Sequence, residues 1–455
     1  GNNILSKNNK TPYGSFAQIN DIISMQYIDV DGVGSTFSSS NASYNLKDEN
    51  ARIVSATLYW TAVYPYSRGS RGVKNNSYYY KKVEDRKDDF TKIKFKTPEN
   101  KAYNDVKGNI LFDGLNNKNY QDNAPYVCFA DVTDLMTKKS NGNGEYSVAN
   151  VRATEGFVSG GSTAGWFLFI IYESDLQESR YITAYNGFSG LSDNSVDIEF
   201  KNFKTKNNGN VNATVFVATL EGDSKLSRDQ CGLFDPKTNK VQYFQNKLRA
   251  QSNFFNGKLT IDDKYFTKRT PNGANTLGFD LAKLRIPNNL ITNNKENATL
   301  RLASKADRFY FYFTAFKTEI NEDFHKKKIE EELEIVDVKN EEQDSEASPQ
   351  EYKDTKLEMN DENIQKILKS RKLNIPGLKN GYYVITNVFS VKTNADKWKE
   401  FLISKGHNAE IFQNPKNNWY YVHIYNDIDV FKIHKRYQKL VNLEYFEEIW
   451  VFKIN

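Results

Sequence analysis

The chain has 455 residues, with 62 Lys and Arg against 57 Asp and Glu, which leaves a net charge of +5. That length allows two or more domains with cores of their own, and so small a positive excess is not typical of a nucleic-acid-binding protein. The mean hydropathy is -0.70. No apolar run approaches the roughly 20 residues of a transmembrane helix, so we expect any membrane attachment to come through partners.

Residues 21–320 carry many short strand patterns rich in β-branched and aromatic residues, separated by Gly and Asn turns. Helical periodicity is scarce. The pattern predicts a mainly β fold, a large β-sandwich or jelly-roll-like region of one or two sandwiches. The polar residues 1–20 predict a loosely attached N-terminal arm. The predicted strands are 22–30, 53–60, 92–96, 126–132, 144–151, 164–172, 181–185, 195–200, 212–218, 298–302 and 309–316.

Two stretches of this region allow alternatives. Residues 64–90 are rich in Tyr, Lys and Arg without a clear period, which predicts a long loop or a hairpin. Residues 201–295 are rich in Asn and Lys and could hold either a second sheet or loops.

The longest run of large apolar residues is Ala164–Tyr172, which follows the Gly/Ser turn at 159–162. It is too short to span a membrane. Its aromatic and β-branched residues predict a strand that is buried on both faces. Trp166 is expected to belong to the core.

Composition changes at residue 321. Residues 321–375 are acidic and Lys-rich with almost no aromatic residues. Such a segment cannot bury enough apolar surface to offset its ordering entropy. It predicts a charged linker, and a solvated spacer is favoured over an acidic binding tail.

Residues 376–455 predict a second, small domain. A strand at 382–389 precedes a helix at 395–405, for which Asn394 is a candidate cap. A hairpin at 409–424 follows, then a helix from Asp427 to about Leu440 and a strand at 448–452. The order βαββαβ is the split, ferredoxin-like arrangement, an α+β fold.

This small domain resembles a SPOR domain. The resemblance lies in the runs 381–384 (GYYV), 405–409 (KGHNA) and 414–422 (NPKNNWYYV). It implies binding of peptidoglycan glycan strands stripped of stem peptides, or of another periplasmic protein. Of the family's Gln-x-Gly-x-Phe first strand, this sequence keeps only Phe389. The implied glycan- or partner-binding residues are Phe389, Tyr382, Trp419, Tyr420 and Tyr421.

The aromatic residues of that set divide between two faces, because successive side chains of a strand point in opposite directions. Trp419 and Tyr421 share one face of their strand, and Tyr420 points to the other. Since one face must pack on the two helices, half of the set is expected to be core.

The large region resembles a β-rich domain of surface proteins of Bacteroidota. Matching runs are 27–32 (YIDVDG), 35–40, 56–60, 129–133, 164–166, 186–188, 221–223, 253–256 and 277–280. Combined with a periplasmic-type tail, this is similar to accessory proteins of the gliding-motility adhesin and type IX secretion machinery. The resemblance implies an exported, outer-membrane-associated protein of the periplasm or cell surface. Its expected partners are outer-membrane or surface adhesin-complex proteins, and peptidoglycan. The start Gly1-Asn2-Asn3 is typical of a mature, processed chain.

Asp29 and Asp31 place oxygen ligands on alternate residues before Gly32, as a calcium loop does. A turn at the end of a strand is the commoner explanation of Asp-Gly. Other carboxylates that could complete an oxygen cage are Asp131, Asp134, Asp193, Glu221 and Asp223. Apart from calcium, no cofactor is predicted.

Cys128 and Cys231 are the only cysteines. They could form a disulfide in an oxidising compartment or stay as two free buried thiols.

The four histidines are His325, His407, His423 and His434. None lies in residues 21–320, which excludes a histidine-based triad or zinc site there. No spacing singles out a pair of carboxylates. We therefore expect a non-enzymatic protein that docks a partner through the sandwich and is tethered through the small domain. The alternative is a free-standing cell-surface adhesin or carbohydrate-binding protein.

Overall fold

In the computed structural model the chain divides into two compact units, Gly1–Gln343 and Asp344–Asn455. The structure describes residues 1–8, 19–136, 141–235, 238, 240–306, 308–326, 372–373, 375, 378–389, 391–415, 418–440, 443, 445–446 and 449–454. Nearly all of the predicted linker, residues 327–371, lies outside this range, as do residues 9–18 of the predicted arm.

The regular secondary structure of the first unit is almost entirely strand, as predicted. Its strands are β1 (Asn2–Asn3), β2 (Leu5–Ser6), β3 (Gln26–Tyr27), β4 (Ser39–Tyr44), β5 (Arg52–Val63), β6 (Arg68–Lys74), β7 (Ser77–Glu84), β8 (Lys92–Lys96), β9 (Asn104–Lys107), β10 (Asn109–Asp113), β11 (Pro125–Asp131), β12 (Gly144–Ala149), β13 (Glu155–Gly156), β14 (Ala164–Glu173), β15 (Arg180–Leu191), β16 (Ser195–Phe200), β17 (Ala213–Gly222), β18 (Asp229–Phe234), β19 (Val241–Tyr243), β20 (Leu259–Ile261), β21 (Lys264–Tyr265), β22 (Arg269–Thr270), β23 (Gly278–Arg285), β24 (Ala298–Ser304) and β25 (Phe309–Glu319). Helix α1 (Thr133–Met136) and the 3₁₀ turns Asn20–Ile22 and Asp88–Thr91 lie between them.

Four sheets form two β-sandwiches. Sheet I has the strand order β1-β14-β5-β11-β10, and sheet II the order β22-β4-β12-β8-β9. These two share a core that contains Trp60, Trp166 and Phe95. Sheet III (β15-β25-β17-β23-β20-β21) and sheet IV (β16-β24-β18-β19) share a second core with Phe200 and Phe316. The region therefore contains two sandwiches rather than one.

The two sandwiches stack on each other through the outer faces of sheets I and III. Tyr59 and Phe167 of sheet I stack at a ring distance of 4.8 Å, and Phe313 of sheet III lies 4.9 Å and 5.1 Å from them. These rings belong to a third core, which also contains Leu220 and Phe279. Sheet I is thus covered on both faces, which explains why its central strands are almost continuously apolar in sequence.

Within the predicted arm, residues 1–20, the described residues 1–8 are packed against the sheets and are not loosely attached. β1 pairs with β14, and Ile4 and Leu5 are buried. The Asn2 side-chain amide donates to the carbonyl oxygens of Asn41 and Pro271, both at 3.1 Å, while Arg269 donates to Asn2 Oδ1 at 2.6 Å. Polar composition misled the prediction because these buried asparagines find partners far away in sequence.

The structure decides between the alternatives for residues 64–90 and 201–295. One predicted strand is shorter than expected. Residues 68–84 form the hairpin β6–β7, joined through Asn75 and Asn76 at φ values of 52° and 60°, which suits a two-residue hairpin turn. Residues 201–295 contain strands of sheets III and IV, not only loops. In place of the strand predicted at 22–30, there is a 3₁₀ turn and the two-residue β3.

The predicted disulfide alternative is wrong, because the two cysteines lie in different cores. Cys128 on β11 belongs to the core between sheets I and II, and Cys231 on β18 to the core between sheets III and IV. Both are free, buried thiols. Burial raises the pKa of each thiol well above its usual value, so neither is a reactive thiolate near neutral pH.

The second unit consists of β26 (Lys372–Leu373), β27 (Gly381–Phe389), α2 (Lys392–Ser404), β28 (Glu410–Asn414), β29 (Trp419–Asp427), α3 (Val430–Leu440) and β30 (Trp450–Ile454). It has the predicted βαββαβ order from β27 to β30, preceded by the short strand β26. The sheet order is β26-β30-β27-β29-β28. Helix α2 begins at Lys392, so Asn394 lies inside the helix and does not cap it. Within the described residues, neither unit contains a helix that is long and apolar enough to cross a membrane.

The second core, between sheets III and IV, contains a charged network that composition does not reveal. Arg249 is fully buried and pairs with Asp280 at 2.8 Å. Its guanidinium also donates to Thr260 Oγ1 and to the carbonyl oxygens of Phe254 and Leu281. Because the Arg249 guanidinium has these hydrogen-bond partners, the buried ion pair holds the loop before β20 against β23.

Trp166 connects the two sheets of the first sandwich. Its side chain is 1% exposed, and its indole nitrogen donates to Ser40 Oγ on β4 at 2.9 Å. We expect Trp166→Ala to lower the free energy of unfolding by about 3–5 kcal/mol, because it leaves a large cavity. Guanidinium denaturation measures this, with Val54→Ala on the exposed side of β5 as the control. A variant as stable as the parent would contradict this role.

Asp229 gives the fold a specific pH dependence. Burial raises its pKa to about 7, although the Phe255 amide donates to Oδ1 at 2.7 Å and opposes the shift. The unfolded pKa is about 3.9. Between these values the folded state holds a proton that the unfolded state has lost, so the free energy of unfolding falls as pH rises, by up to about 1.4 kcal/mol per unit.

Asp229→Asn should remove this slope, because an amide keeps the hydrogen bond and does not titrate. Denaturation curves at pH 4.5, 6 and 7.5 measure it, with the exposed Asp193→Asn as the control. Equal slopes in the parent and Asp229→Asn would contradict the assignment.

Candidate functional site

β14 is buried only in its first half, unlike the strand that the sequence predicted. Trp166 and Phe167 are buried, whereas Leu168 through Tyr172 are half-buried and Glu173 is exposed. Leu168 and Ile170 extend the core between sheets I and II, and Phe169 extends the interface between sheets I and III. The second half of this apolar strand is therefore less buried than the first half.

The two edges of β14 are paired over different lengths. β5 pairs with β14 from Ala164 to Glu173. On the other edge, β1 pairs only with Gly165 and Trp166. Among the residues that the structure describes, β14 beyond Trp166 has a strand neighbour on the β5 side alone.

The pairing pattern identifies which backbone groups face the β1 side of β14. The Ile4 amide donates to the Ala164 carbonyl oxygen at 2.9 Å, so Ala164 presents its backbone groups to β1. In an antiparallel ladder every second residue faces the same neighbour. Leu168 and Ile170 therefore direct their N–H and C=O groups to the β1 side.

A groove of about 590 Å³ runs beside this edge, and we call it the β14 groove. One wall is the half-buried part of β14 with the end of β4. The other wall is the end of sheet III, where strand register aligns Ile182, Lys317 and Thr214 in one row and Ala315, Phe216 and Lys283 in the next. Its lining comprises Tyr44, residues 168–174, residues 177–180, Ile182, Thr214, Phe216, Lys283 and residues 315–317.

The sheet III wall carries positive charge. Burial, followed by the charges of Lys283 and Arg180, lowers the pKa of Lys317. Arg180 is neutralised by Glu319 at 2.8 Å and Glu178 at 3.3 Å. No ion pair within the described residues involves Lys283 or Lys317. The groove thus combines an apolar wall with two lysines that form no ion pair with any described residue.

The segment of Asp29 and Asp31 is a hydrogen-bonded turn. Tyr103 donates to Asp31 Oδ2 at 2.6 Å, and Val33 N–H and Thr36 Oγ1 donate to Oδ1. Burial raises the pKa of Asp31, but these hydrogen bonds outweigh it and the net shift is downward. Ser39 donates to Asp29 Oδ1 at 2.8 Å. These donors occupy oxygens that calcium would need, so the turn explains the motif.

The remaining carboxylates do not form one cage with them. Asp131 accepts hydrogen bonds from the Thr133 amide and hydroxyl at the start of α1, and Asp134 and Asp193 are exposed. Glu221 and Asp223 do come together, in a cavity of about 280 Å³. Across the described parts of the chain, no three His, Cys, Asp or Glu side chains converge to hold a metal ion.

The aromatic residues predicted for the small domain do not form a joint platform. Tyr382 is buried in the core under α2 and α3, and Phe389 and Tyr420 pack against the same core. Tyr421 lies on the opposite face of the sheet, stacked on Phe412 at 5.2 Å. Trp419, 48% exposed, is the most exposed member of the predicted set.

Sequence reasoning missed the β14 groove and its two lysines. The alternation of Lys283 and Arg285 with buried residues in β23 could have marked them as surface residues. No local signal places Lys283 near Lys317, because their strands are joined through β17.

Comparison with known proteins assigns no family. No protein-family profile and no curated protein matches the chain. Among solved structures, it is similar to a beta-porphyranase of glycoside hydrolase family 86 from the human gut bacterium Bacteroides plebeius, at 8% identity and a TM-score of 0.19, over 65% of this chain and 39% of that one. It is also similar to the VP2 subviral particle of infectious bursal disease virus, at 12% identity and a TM-score of 0.19, over 62% and 71% of the two chains. The major capsid protein of Bacteriophage PM2 matches at 8% identity and a TM-score of 0.16, over 62% and 97%. The chain spans well under two thirds of the hydrolase's length, and likenesses this remote carry no argument about function.

Proposed function

We propose that this chain is a non-enzymatic binding protein of the bacterial cell envelope, and that its stacked sandwiches dock a partner protein in the β14 groove. The observation that carries the proposal is the half-buried, apolar second half of β14, which lines a groove of about 590 Å³. Concave sites of this size that are lined mainly by apolar side chains are typical binding sites. The groove is therefore suited to a binding surface.

The proposed setting is the gliding-motility adhesin or type IX secretion machinery, with outer-membrane or surface adhesin-complex proteins as partners. It is supported by the resemblance of runs such as 27–32, 56–60 and 164–166 to surface-protein domains of Bacteroidota. An exported, outer-membrane-associated protein of the periplasm or cell surface fits that setting.

The small domain is proposed to be a SPOR-like tether to peptidoglycan or to a periplasmic protein. Its βαββαβ order supports this role, as do the runs 405–409 and 414–422. Since the other aromatic residues of the set pack in the domain, Trp419 is the best-placed residue to contact a sugar ring.

Docking is tested by photocrosslinking the full-length chain in native envelopes. A benzoylphenylalanine at the exposed, groove-lining Gln177 should capture a discrete envelope protein, whereas one at Lys264 on β21 should not. Equal capture from both positions, or none from Gln177, would refute groove docking. Loss of the protein from washed envelopes together with cleavage by external protease would favour the alternative, a free-standing adhesin or carbohydrate-binding protein.

Tethering is tested by sedimentation of the full-length chain with sacculi stripped of stem peptides. Trp419→Ala should weaken binding by about three- to tenfold, because a partly exposed ring is available to stack on a sugar. Tyr421→Ala should mainly lower the melting temperature, since Tyr421 is buried. Absence of sedimentation by the parent chain would end the peptidoglycan proposal.

A further inference from the structure

The hairpin of β6 and β7 concentrates positive charge on the surface of the first unit. Residues 68–84 contain five Lys and Arg and a single acidic residue, Glu84, so their net charge is +4, while the whole chain carries +5. Every residue from Val73 to Tyr79 is exposed. Tyr78 and Tyr79 are 61% and 40% exposed, and large rings exposed together are an informative exception to burial. The hairpin is therefore a basic and aromatic surface that core packing does not explain.

Strand register divides these side chains between two faces of the hairpin. Gly72 pairs with Tyr79 and Val73 with Tyr78, and directly opposite residues of a ladder share a face. We name the two faces after their tyrosines. The Tyr79 face comprises Ser70, Gly72, Lys74, Ser77, Tyr79 and Lys81, and the Tyr78 face comprises Gly69, Arg71, Val73, Tyr78, Tyr80 and Lys82.

On the Tyr78 face the cations already have partners. The Arg71 guanidinium lies 4.4 Å from the centre of the Tyr78 ring and 4.2 Å from that of Phe157. Lys82 pairs with Asp85 at 2.5 Å. A cation of the same chain thus covers the Tyr78 ring, which makes this face a matched control for the other one.

On the Tyr79 face the aromatic side chain lies across the hairpin. A Cβ atom on Gly72 would overlap Cζ and Oη of Tyr79, so the ring reaches over the opposite strand instead of projecting away from both. Glycine in the interior of a strand is unfavourable and often marks a close approach. Here it makes room for the ring, which remains 40% exposed. The result is a flat aromatic surface that is open to solvent.

Two lysines flank this ring. Lys74 and Lys81 form no ion pair with any residue that the structure describes. Residues two apart along a strand are roughly 7 Å from each other, so the long lysine side chains reach the two ends of the ring. Lys81 Nζ lies 5.5 Å from the ring centre. Such an exposed cation–π contact is weaker than a charge-assisted hydrogen bond, so it gives way to an anionic ligand.

We infer that the Tyr79 face binds an acidic polysaccharide, with a sugar ring stacked on Tyr79 and its carboxylate or sulfate groups paired with Lys74 and Lys81. The tyrosine ring offers the flat apolar contact that a sugar ring needs, and the ammonium groups supply charge-assisted hydrogen bonds. This site lies outside the β14 groove, so it does not depend on the proposed docking there.

Two other anionic partners fit this surface less well. The tip of the hairpin, residues 74–77, is Lys-Asn-Asn-Ser, and entry into lipid would remove water from these polar groups at a high cost. An acidic peptide would pair with the lysines, but protein interfaces place their aromatic anchors in pockets. Tyr79 lies on the open face of a hairpin, where a sugar ring can stack without a pocket.

The test uses the full-length chain and fluorescein-labelled hexamers in fluorescence anisotropy at low salt. Hexagalacturonate or a sulfated carrageenan hexasaccharide should bind at least about tenfold more tightly than fully methyl-esterified hexagalacturonate, which keeps the sugar rings without their charge. The tighter of the two identifies the preferred anion. A hexaglutamate peptide has the carboxylates without a ring and should bind more weakly than the tighter hexasaccharide. Absence of binding by both acidic hexasaccharides would overturn the inference.

Matched variants of the two faces locate the site. Tyr79→Ala should weaken binding of the acidic hexasaccharide about three- to tenfold, because stacking is lost, while Tyr78→Ala should leave it unchanged. The double variant Lys74→Gln and Lys81→Gln should weaken it about tenfold or more, and Lys82→Gln should not. Equal effects of Tyr79→Ala and Tyr78→Ala would refute the assignment to the Tyr79 face.

Gly72→Ala tests the position of the ring with the Tyr79 side chain intact. The added Cβ should displace the ring and weaken hexasaccharide binding to the same degree as Tyr79→Ala. Alanine costs a strand less backbone entropy than glycine, so the hairpin should still form, and circular dichroism checks this. Unchanged binding by a folded Gly72→Ala chain would contradict stacking on the ring.

Two results would assign the face to another partner and overturn the polysaccharide. Hexaglutamate that binds as tightly as the hexasaccharides, with no loss in Tyr79→Ala, would indicate an acidic protein segment. Sedimentation with phosphatidylglycerol vesicles that Tyr78→Ala and Tyr79→Ala weaken equally, without hexasaccharide binding, would indicate a membrane surface.

Discussion

The burial of sheet I on both faces is the constraint on which the rest of the first unit depends. Its strands alternate strictly, so that Trp60 and Trp166 enter one core while Tyr59 and Phe167 enter the other. A slip of one residue between β5 and β14 would exchange these sets and leave both cores wrongly filled. The register that pairs Trp166 with Trp60 therefore determines which side chains enter each of the two cores.

The β14 groove follows from the same arrangement. β14 is longer than the stretch that pairs with β1, and its second half continues the alternation, with Leu168 and Ile170 on one face and Phe169 on the other. Leu168 through Tyr172 remain half-buried and line the groove. The apolar pattern that buries the first half of β14 therefore leaves partly exposed apolar side chains in its second half.

Sequence patterns correctly predicted those strands and helices that depend on residues close together in the chain. Lys92–Lys96 alternates lysine with Ile93 and Phe95, and the strand lies with those two residues buried. The βαββαβ order of the small domain follows equally from local periodicity and turns. The sequence wrongly predicts that Asn2 and Asn3 belong to a loose arm. Their partners, Asn41, Arg269 and Pro271, are remote in sequence, so no local pattern reveals them. The groove lysines were missed for the same reason, since strand order, which no local signal encodes, brings Lys283 and Lys317 to one wall.

The aromatic residues of the small domain show why residue type alone does not identify a binding face. Tyr420 and Tyr421 are adjacent and chemically identical, yet one packs toward α2 and α3 and the other into the cluster of Phe412 and Ile375. In a two-layer α+β domain the face opposite the helices is ordinarily the accessible one. Here Ile375, which precedes β27, helps to bury that face. Among the aromatic residues predicted to bind a ligand, Trp419, which begins β29 at the margin of the sheet, is the most exposed.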